Sequence, residues 1–201
     1  MRIIAGEFRG RVLLGPVGDV TRPVTDRVKQ SMFDILHPLL PGSRVYDCFA
    51  GTGSMGLESL SRGAVHATFF ESDRSAGERL RRNVEALKAA SRSAIVGGDL
   101  FRWFAAPRPP DTLRADVIFL DPPYRYLREK PDALRQWAAL AVASHLTPGG
   151  WVVFRHDAAD ALNLPPLTLD DRRDYGGMIV EFLRAPALRD SASDAREDAA
   201  G

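Results

Sequence analysis

The sequence predicts an α/β protein: a doubly wound, mostly parallel sheet with helices on both faces and an antiparallel hairpin at one edge. Three observations carry this expectation. Strand and helix patterns alternate from residue 43 to residue 184, and such alternation implies parallel strands joined by crossover helices. Residues 115–120 form a nearly continuous apolar run, the pattern of a strand buried on both faces. A glycine-rich turn at residues 51–56 joins the first strand of the series to its first helix, where ligands of such sheets bind.

The elements follow in chain order. Residues 2–5 and 11–14 flank a Gly-containing turn and predict a short N-terminal hairpin. Thr25 can cap a helix over residues 25–40, with Val28, Met32, Leu36 and Leu39 on one face and Pro41-Gly42 as its stop. Strands are expected at 44–49, 67–71, 94–96, 115–120 and 151–154. Helices are expected at 54–61, 73–89 and 131–144. The second should bury Ala76, Leu80, Val84 and Leu87, and Pro148-Gly149-Gly150 should close the third. Two last strands, 167–172 and 178–183, surround a Tyr175-Gly176-Gly177 turn. The chain thus divides into an N-terminal extension (1–40), a main domain (41–184) and a tail (185–201) without apolar periodicity, read as disordered.

Composition narrows the class. With 201 residues, 45% hydrophobic and 26% charged, the chain suits one globular domain and is neither disordered throughout nor collagen-like. No apolar run approaches the roughly 20 residues that span a bilayer, and residues 1–7 lack the apolar core of a signal peptide. The single cysteine, Cys48, excludes an internal disulfide and a cysteine-based zinc site. A cytoplasmic protein without a metal is expected. Residues 1–30 hold six basic and three acidic residues, and residues 74–92 hold six and two. This mild basic bias permits a nucleic-acid partner without demanding one.

Four features point to chemistry. Asp47-Cys48-Phe49-Ala50-Gly51-Thr52-Gly53-Ser54-Met55-Gly56 holds Gly-x-Gly-x-x-Gly between strand and helix, so backbone can approach a ligand at a helix N-terminus. Glu71 ends the second strand 20 residues after Gly51, where a carboxylate can accept from both ribose hydroxyls. Asp99 follows the third strand and can accept from an adenine amino group, cap the next helix, or do both. These three features indicate an adenosine-containing cofactor and do not choose between NAD and S-adenosylmethionine. The fourth is Asp121-Pro122-Pro123-Tyr124 after the buried fourth strand. The prolines stiffen the loop and leave its carbonyls free. Asp121 and the Pro122 carbonyl can accept from an exocyclic NH2 group while Tyr124 stacks on the base. Acceptors on the amino hydrogens localise a lone pair otherwise delocalised into the ring. Positioning would supply most of the acceleration.

On these residues the chain resembles the S-adenosylmethionine-dependent amino-methyltransferases with a Rossmann-like class I domain. The segments Arg2-Ile3-Ile4-Ala5-Gly6-Glu7-Phe8-Arg9-Gly10-Arg11 and Thr21-Arg22-Pro23-Val24-Thr25-Asp26-Arg27-Val28-Lys29, with 57–64 and Tyr175-Gly176, narrow this. They resemble the bacterial 16S rRNA guanine(966)-N2 methyltransferase family over residues 1–184. The resemblance implies a seven-stranded sheet and a flipped guanine of 16S ribosomal RNA, presented by a small-subunit assembly particle. The products would be N2-methylguanine and S-adenosylhomocysteine. By that resemblance the glycine loop, with Asp47, Gly51 and Gly53, holds the methionine part of the cofactor. Glu71 holds its ribose and Asp99 meets its adenine. Asp121, Pro122 and Tyr124 meet the guanine. Arg9, Arg11, Arg22 and Arg27 are candidates for RNA phosphates, with Arg27 alternatively pairing Asp26 or Asp34. Cys48 replaces a usual aliphatic residue, and Arg155-His156 stands where the family pattern has an acid. His156 reads as a surface or edge histidine, and a monomer is expected.

Three other readings compete. A DNA adenine-N6 or cytosine-N4 methyltransferase would use the same Asp121 loop, but the sequence offers no separate DNA-reading domain. An NAD-dependent dehydrogenase explains Gly51, Gly53, Gly56 and Glu71 and leaves Asp121 to Tyr124 idle. A non-catalytic RNA-binding module would not need the cofactor loop.

Overall fold

Side chains on a strand alternate between the two faces of its sheet, and here both faces are covered. A computed structural model describes residues 1–16, 25–109 and 112–188. Seven strands form one sheet: β1 Arg44–Cys48, β2 His66–Glu71, β3 Ser93–Gly97, β4 Ala115–Leu120, β5 Leu146–Asp157, β6 Thr168–Asp174 and β7 Met178–Arg184. Their order is β3-β2-β1-β4-β5-β7-β6. Strands β1 to β5 are parallel, and β7 pairs antiparallel with β5 and β6. Connections run outward in opposite directions from β1 and β4, which leaves a crevice at the C-terminal ends of these two strands.

Six α-helices among the described residues complete the layers: α1 Asp26–Leu36, α2 Ser54–Ser61, α3 Arg74–Ala86, α4 Leu100–Ala105, α5 Arg125–Glu129 and α6 Pro131–Leu140. On one face, Met32, Phe33, Leu57, Leu60 and Leu80 of α1, α2 and α3 pack with Val45, Phe69, Phe119 and Val153. On the other, Phe104, Leu134 and Trp137 of α4 and α6 pack with Tyr46, Phe70, Ile118 and Val152. The Thr25 hydroxyl accepts from the Val28 N–H and caps α1 as expected.

Several expectations need correction. The N-terminal hairpin is a single antiparallel bridge, Arg2 to Val12. Its halves also join through Ile3 N–H to the Arg11 carbonyl and Leu13 N–H to the Met1 carbonyl, and the rest of its backbone reaches helices: Ile4 and Ala5 donate to Glu58, Phe8 to Ser61 and Leu14 to Asn83. Gly77 and Asn83, rather than Ala76, join Leu80 and Val84 on the buried face of α3. After α6 a single π-helical turn, Ala141–His145, leads directly into β5. Strand β5 therefore starts at Leu146, and Pro148-Gly149-Gly150 lie in the register break between Leu146 and Trp151. Helix α5 was not expected, since five residues are too few to display an apolar period. Residues 189–201 of the expected tail, and Arg22, lie outside the described residues.

A buried ion cluster fixes the N-terminal segment. Glu58 of α2 is fully buried. Its Oε2 accepts from Lys29 Nζ (2.9 Å) and Ile4 N–H (2.8 Å). Its Oε1 accepts from Arg62 Nε (2.9 Å) and Ala5 N–H (3.0 Å). Lys29 spends its other two donors on the Arg2 carbonyl (2.9 Å) and Ser54 Oγ (3.2 Å). Every lone-pair direction of the carboxylate and every ammonium proton thus has a partner. Burial lowers the Lys29 pKa, against the opposing pull of Glu58. Asn83 makes a second tie, accepting from Leu14 N–H (2.8 Å) and donating to the Thr52 carbonyl (2.9 Å).

Two predictions follow from these contacts. Glu58→Ala leaves Lys29 as an uncompensated buried charge and should cost about 3–5 kcal/mol in urea unfolding; a loss under ~1 kcal/mol would contradict the cluster. His145 is buried against Phe104 (4.2 Å between ring centres) and bonds the Phe104 carbonyl through Nε2 (3.0 Å). Burial lowers its pKa to about 4. The neutral form is favoured in the fold, so its contribution is complete above pH ~6.5 and is lost as pH falls towards 4. Wild type should lose roughly 2 kcal/mol more than His145→Gln between pH 7.5 and pH 5, and parallel losses would refute the assignment.

Candidate active site

The period of two puts four charged residues on one side near the C-terminal ends of the strands. Val45, Phe69, Phe119 and Val153 all belong to the core under α1, α2 and α3. By register Phe69, Phe119 and Val153 stand level with Asp47, and Val45 lies one side-chain repeat below them. Two residues further along each strand stand Asp47, Glu71, Asp121 and Arg155. They gather at the crevice between β1 and β4.

The glycine turn is shaped by its neighbours. Gly53 has φ +85°, and a Cβ there would stand 2.4 Å from Leu80 Cδ1. A Cβ on Gly56 would stand 2.3 Å from the Phe69 ring, so α2 sits directly on β2. Above Gly51, Gly97 and Gly98 the space is open, with nothing within 4 Å of an added Cβ. Asp47 Oδ2 accepts from Gly56 N–H (2.9 Å) and holds the turn from below. Burial raises the Asp47 pKa to about 8; the Gly56 N–H opposes this, while Asp121 and Glu71 add to it. Glu71 accepts from Gly51 N–H and Asp73 N–H, both at 2.7 Å. Burial raises its pKa too. Asp99 is exposed and accepts from Arg102 N–H (3.1 Å), capping α4.

The Asp121 loop holds a feature that sequence reading missed. Pro122 is buried, Pro123 is exposed, and half-buried Tyr124 leads into α5. Arg155 grips Asp121 with both ends of its fork: Nε donates to Oδ1 (2.7 Å) and Nη2 to Oδ2. The sequence marks Arg155 as a departure from the family pattern without giving it a role, and the register that pairs it with Asp121 is a tertiary fact. The side chain of Arg155 is 10% exposed and that of Asp121 24%. Next to the glycine turn, Phe49 has a left-handed backbone (φ +62°), a strained conformation for a residue with a bulky side chain. Its ring meets Phe101 (6.3 Å) and Tyr126 (5.7 Å) edge-on.

The candidate RNA arginines are not gathered. Arg9 is exposed in the turn beside Ser61, the last residue of α2. Arg11 donates to the carbonyl of Ala86, the last residue of α3. A 13-residue helix is roughly 20 Å long, so Arg11 lies at the end of α3 opposite Glu71. Arg27 lines a groove with Gln30, Ser31, Asp34, Ile35 and Arg173. Asp26 pairs with Arg2 and Asp34 lies 3.7 Å from Arg62, so Arg27 forms neither anticipated pair. His156 is fully buried and stacks on Phe154 (4.9 Å), which corrects the expected surface histidine. It lies inside β5, which runs on to Asp157, and stands opposite Ile179 of β7.

Comparison with known proteins agrees with this arrangement. The family model described as Conserved hypothetical protein 95 matches residues 1–184. Ribosomal RNA small subunit methyltransferase D of Escherichia coli K12 is 39% identical over 125 residues, 62% of this chain and 61% of that protein. The match thus spans about three-fifths of that relative. YlbH of Bacillus subtilis, a candidate rRNA methyltransferase by name, is 36% identical over 179 residues, 88% of this chain and 94% of that protein. The structure of yhhF from Escherichia coli, a candidate methyltransferase, superposes with TM-score 0.78 at 30% identity, covering 94% of this chain and 99% of that one.

Proposed function

The chain belongs to the family described as Conserved hypothetical protein 95, and from that premise we propose that it methylates the exocyclic N2 amino group of a guanine in 16S ribosomal RNA. The methyl donor is S-adenosylmethionine, and the RNA is presented by a small-subunit assembly particle. One observation carries the reading: a carboxylate, a stiff carbonyl and a half-buried tyrosine, Asp121 to Tyr124, stand at the crevice directly beside the glycine turn. The relatives named as ribosomal RNA methyltransferases support the substrate class.

The residues present suit the cofactor. Open space above Gly51, Gly97 and Gly98 admits a ligand against backbone. Glu71 keeps lone pairs for ribose hydroxyls beyond its two backbone bonds. Phe49 and Phe101 offer apolar walls beside Asp99, and the carboxylates of Glu71 and Asp121 suit a sulfonium cation better than a pyrophosphate. When bound, S-adenosylmethionine supplies an electrophilic methyl group. Asp121 and the Pro122 carbonyl accept the amino hydrogens of the base and turn its nitrogen lone pair towards that methyl. Tyr124 stacks on the base plane. The nitrogen loses a proton to water after the methyl arrives, so no strong base is needed. Arg27, which lines a groove with Arg173 of β6, is the candidate for an RNA phosphate contact, while Arg173 pairs with Asp171. A dehydrogenase would leave the Asp121 loop without a task.

Methyl transfer from labelled S-adenosylmethionine tests the proposal. Unmethylated small subunits, naked 16S rRNA and duplex DNA are offered in parallel, and the modified nucleoside is identified by mass. N2-methylguanine in ribosomal RNA is expected, and N6-methyladenine in DNA would overturn the substrate. Asp121→Ala should slow transfer more than tenfold with cofactor affinity within about twofold; an unchanged rate would refute its role. Glu71→Ala should weaken cofactor binding by roughly 1.5–3 kcal/mol, the scale of hydrogen bonds to a charged group. Calorimetry showing no loss would remove the ribose contact.

A further inference from the structure

The Asp121 carboxylate does not stand alone. Among the described residues Arg155 is its salt-bridge partner, and the contact is a two-point fork. The guanidinium is the deeper member of the pair, since its side chain is 10% exposed against 24% for Asp121. A ligand entering the crevice therefore meets the carboxylate first and the guanidinium behind it. This depth order argues against Arg155 as a phosphate clamp. The fork uses one lone pair on each carboxylate oxygen and leaves the other pair free. It also fixes the carboxylate plane, which a single hydrogen bond does not.

The charges around the pair explain why a cation is needed there. Asp47 of β1 is wholly buried nearby and Tyr124 stands on the same loop as Asp121; both act on Arg155. From β7 the facing group is neutral, the Met178 sulfur at 3.4 Å from Arg155 Nη1. Without the guanidinium, Asp121 would face Asp47 across the crevice with no fork to set its rotamer.

We propose that Arg155 is a positioning residue for methyl transfer, holding the Asp121 carboxylate in the one orientation whose free lone pairs meet the amino hydrogens of the base. This rests on the methyltransferase reading above and adds to it a residue outside the cofactor turn and the Asp121 loop. Arg155 touches neither methyl donor nor amino group. Its loss should therefore act on the rate of transfer and not on cofactor binding. A lysine supplies the charge without the fork, so it should restore activity only in part.

The test uses the full chain with unmethylated small subunits and naked 16S rRNA as acceptors. Arg155→Met, Arg155→Ala and Arg155→Lys are compared with wild type for kcat, acceptor KM, cofactor Kd and urea midpoint. Arg155→Met should lower kcat at least tenfold while cofactor Kd and acceptor KM stay within about threefold. Arg155→Lys should fall between it and wild type. Millimolar guanidinium ion, far below denaturing concentration, should raise the kcat of Arg155→Ala severalfold and leave Arg155→Met, whose side chain fills the space, unchanged. Active Arg155→Met would overturn the proposal. So would a loss of kcat that tracks cofactor affinity or the urea midpoint, or one that guanidinium does not rescue in Arg155→Ala. Should Arg155→Met and Arg155→Ala not fold, an Arg155→Lys enzyme with full kcat would overturn it equally. Wild type that methylates none of the acceptors would instead sink the methyltransferase reading itself.

Discussion

The N-terminal segment, α1 and α2 are joined through one carboxylate, and the rest of the candidate site depends on that junction. Glu58 receives four donors from three stretches of chain: Lys29, Arg62, and the adjacent backbone groups of Ile4 and Ala5. Desolvating a lone carboxylate would cost several kcal/mol, but here the geometry leaves no lone pair unused. Lys29 in turn reaches Ser54, the first residue of α2. The helix that begins at the glycine turn is thus pinned at its start. Asn83 and Asp47 then hold the turn itself from either side.

The chemistry at the crevice grows from this rigid base by simple periodicity. On parallel strands the period of two carries one face from its core positions to charged residues near the C-terminal ends, with Asp47 one repeat below the other three. Asp47, Glu71, Asp121 and Arg155 are the outcome. Asp47 is the most buried of the carboxyl groups, and burial, with a smaller push from Asp121 and Glu71, raises its pKa to about 8. The left-handed Phe49 and the close packing of Gly53 on Leu80 belong to the same corner.

Much of this was legible beforehand. The alternation of elements, the strand at Ala115–Leu120, the helix at Ser54–Ser61 and the Tyr175-Gly176-Gly177 turn all stand where the pattern put them. Strong periods and turn residues are local, so a chain reveals them locally. The hairpin at residues 2–14 stands too, with Ile3 bonded across to Arg11 and Leu13 to Met1; its further bonds to α2 and α3 are tertiary, and no local pattern shows them. Helix α5 was invisible because it is a single turn and a half, stabilised by its place after the Pro122-Pro123 loop. His156 looked exposed because polar residues at strand ends usually are, yet β7 covers it.

The sequence by itself determined the fold class, the glycine turn and the loop at Asp121, because each is a property of neighbouring residues and their backbone preferences. Only the tertiary structure decided which charges face one another. Arg155 lies 34 residues from Asp121 and Lys29 lies 29 from Glu58. Strand register and helix docking bring those atoms together. Register is set by the summed packing of both sheet faces, which no local pattern encodes. The same packing sends Arg11 to the far end of α3 while Arg27 stays by the groove, although sequence alone placed both arginines in one basic segment.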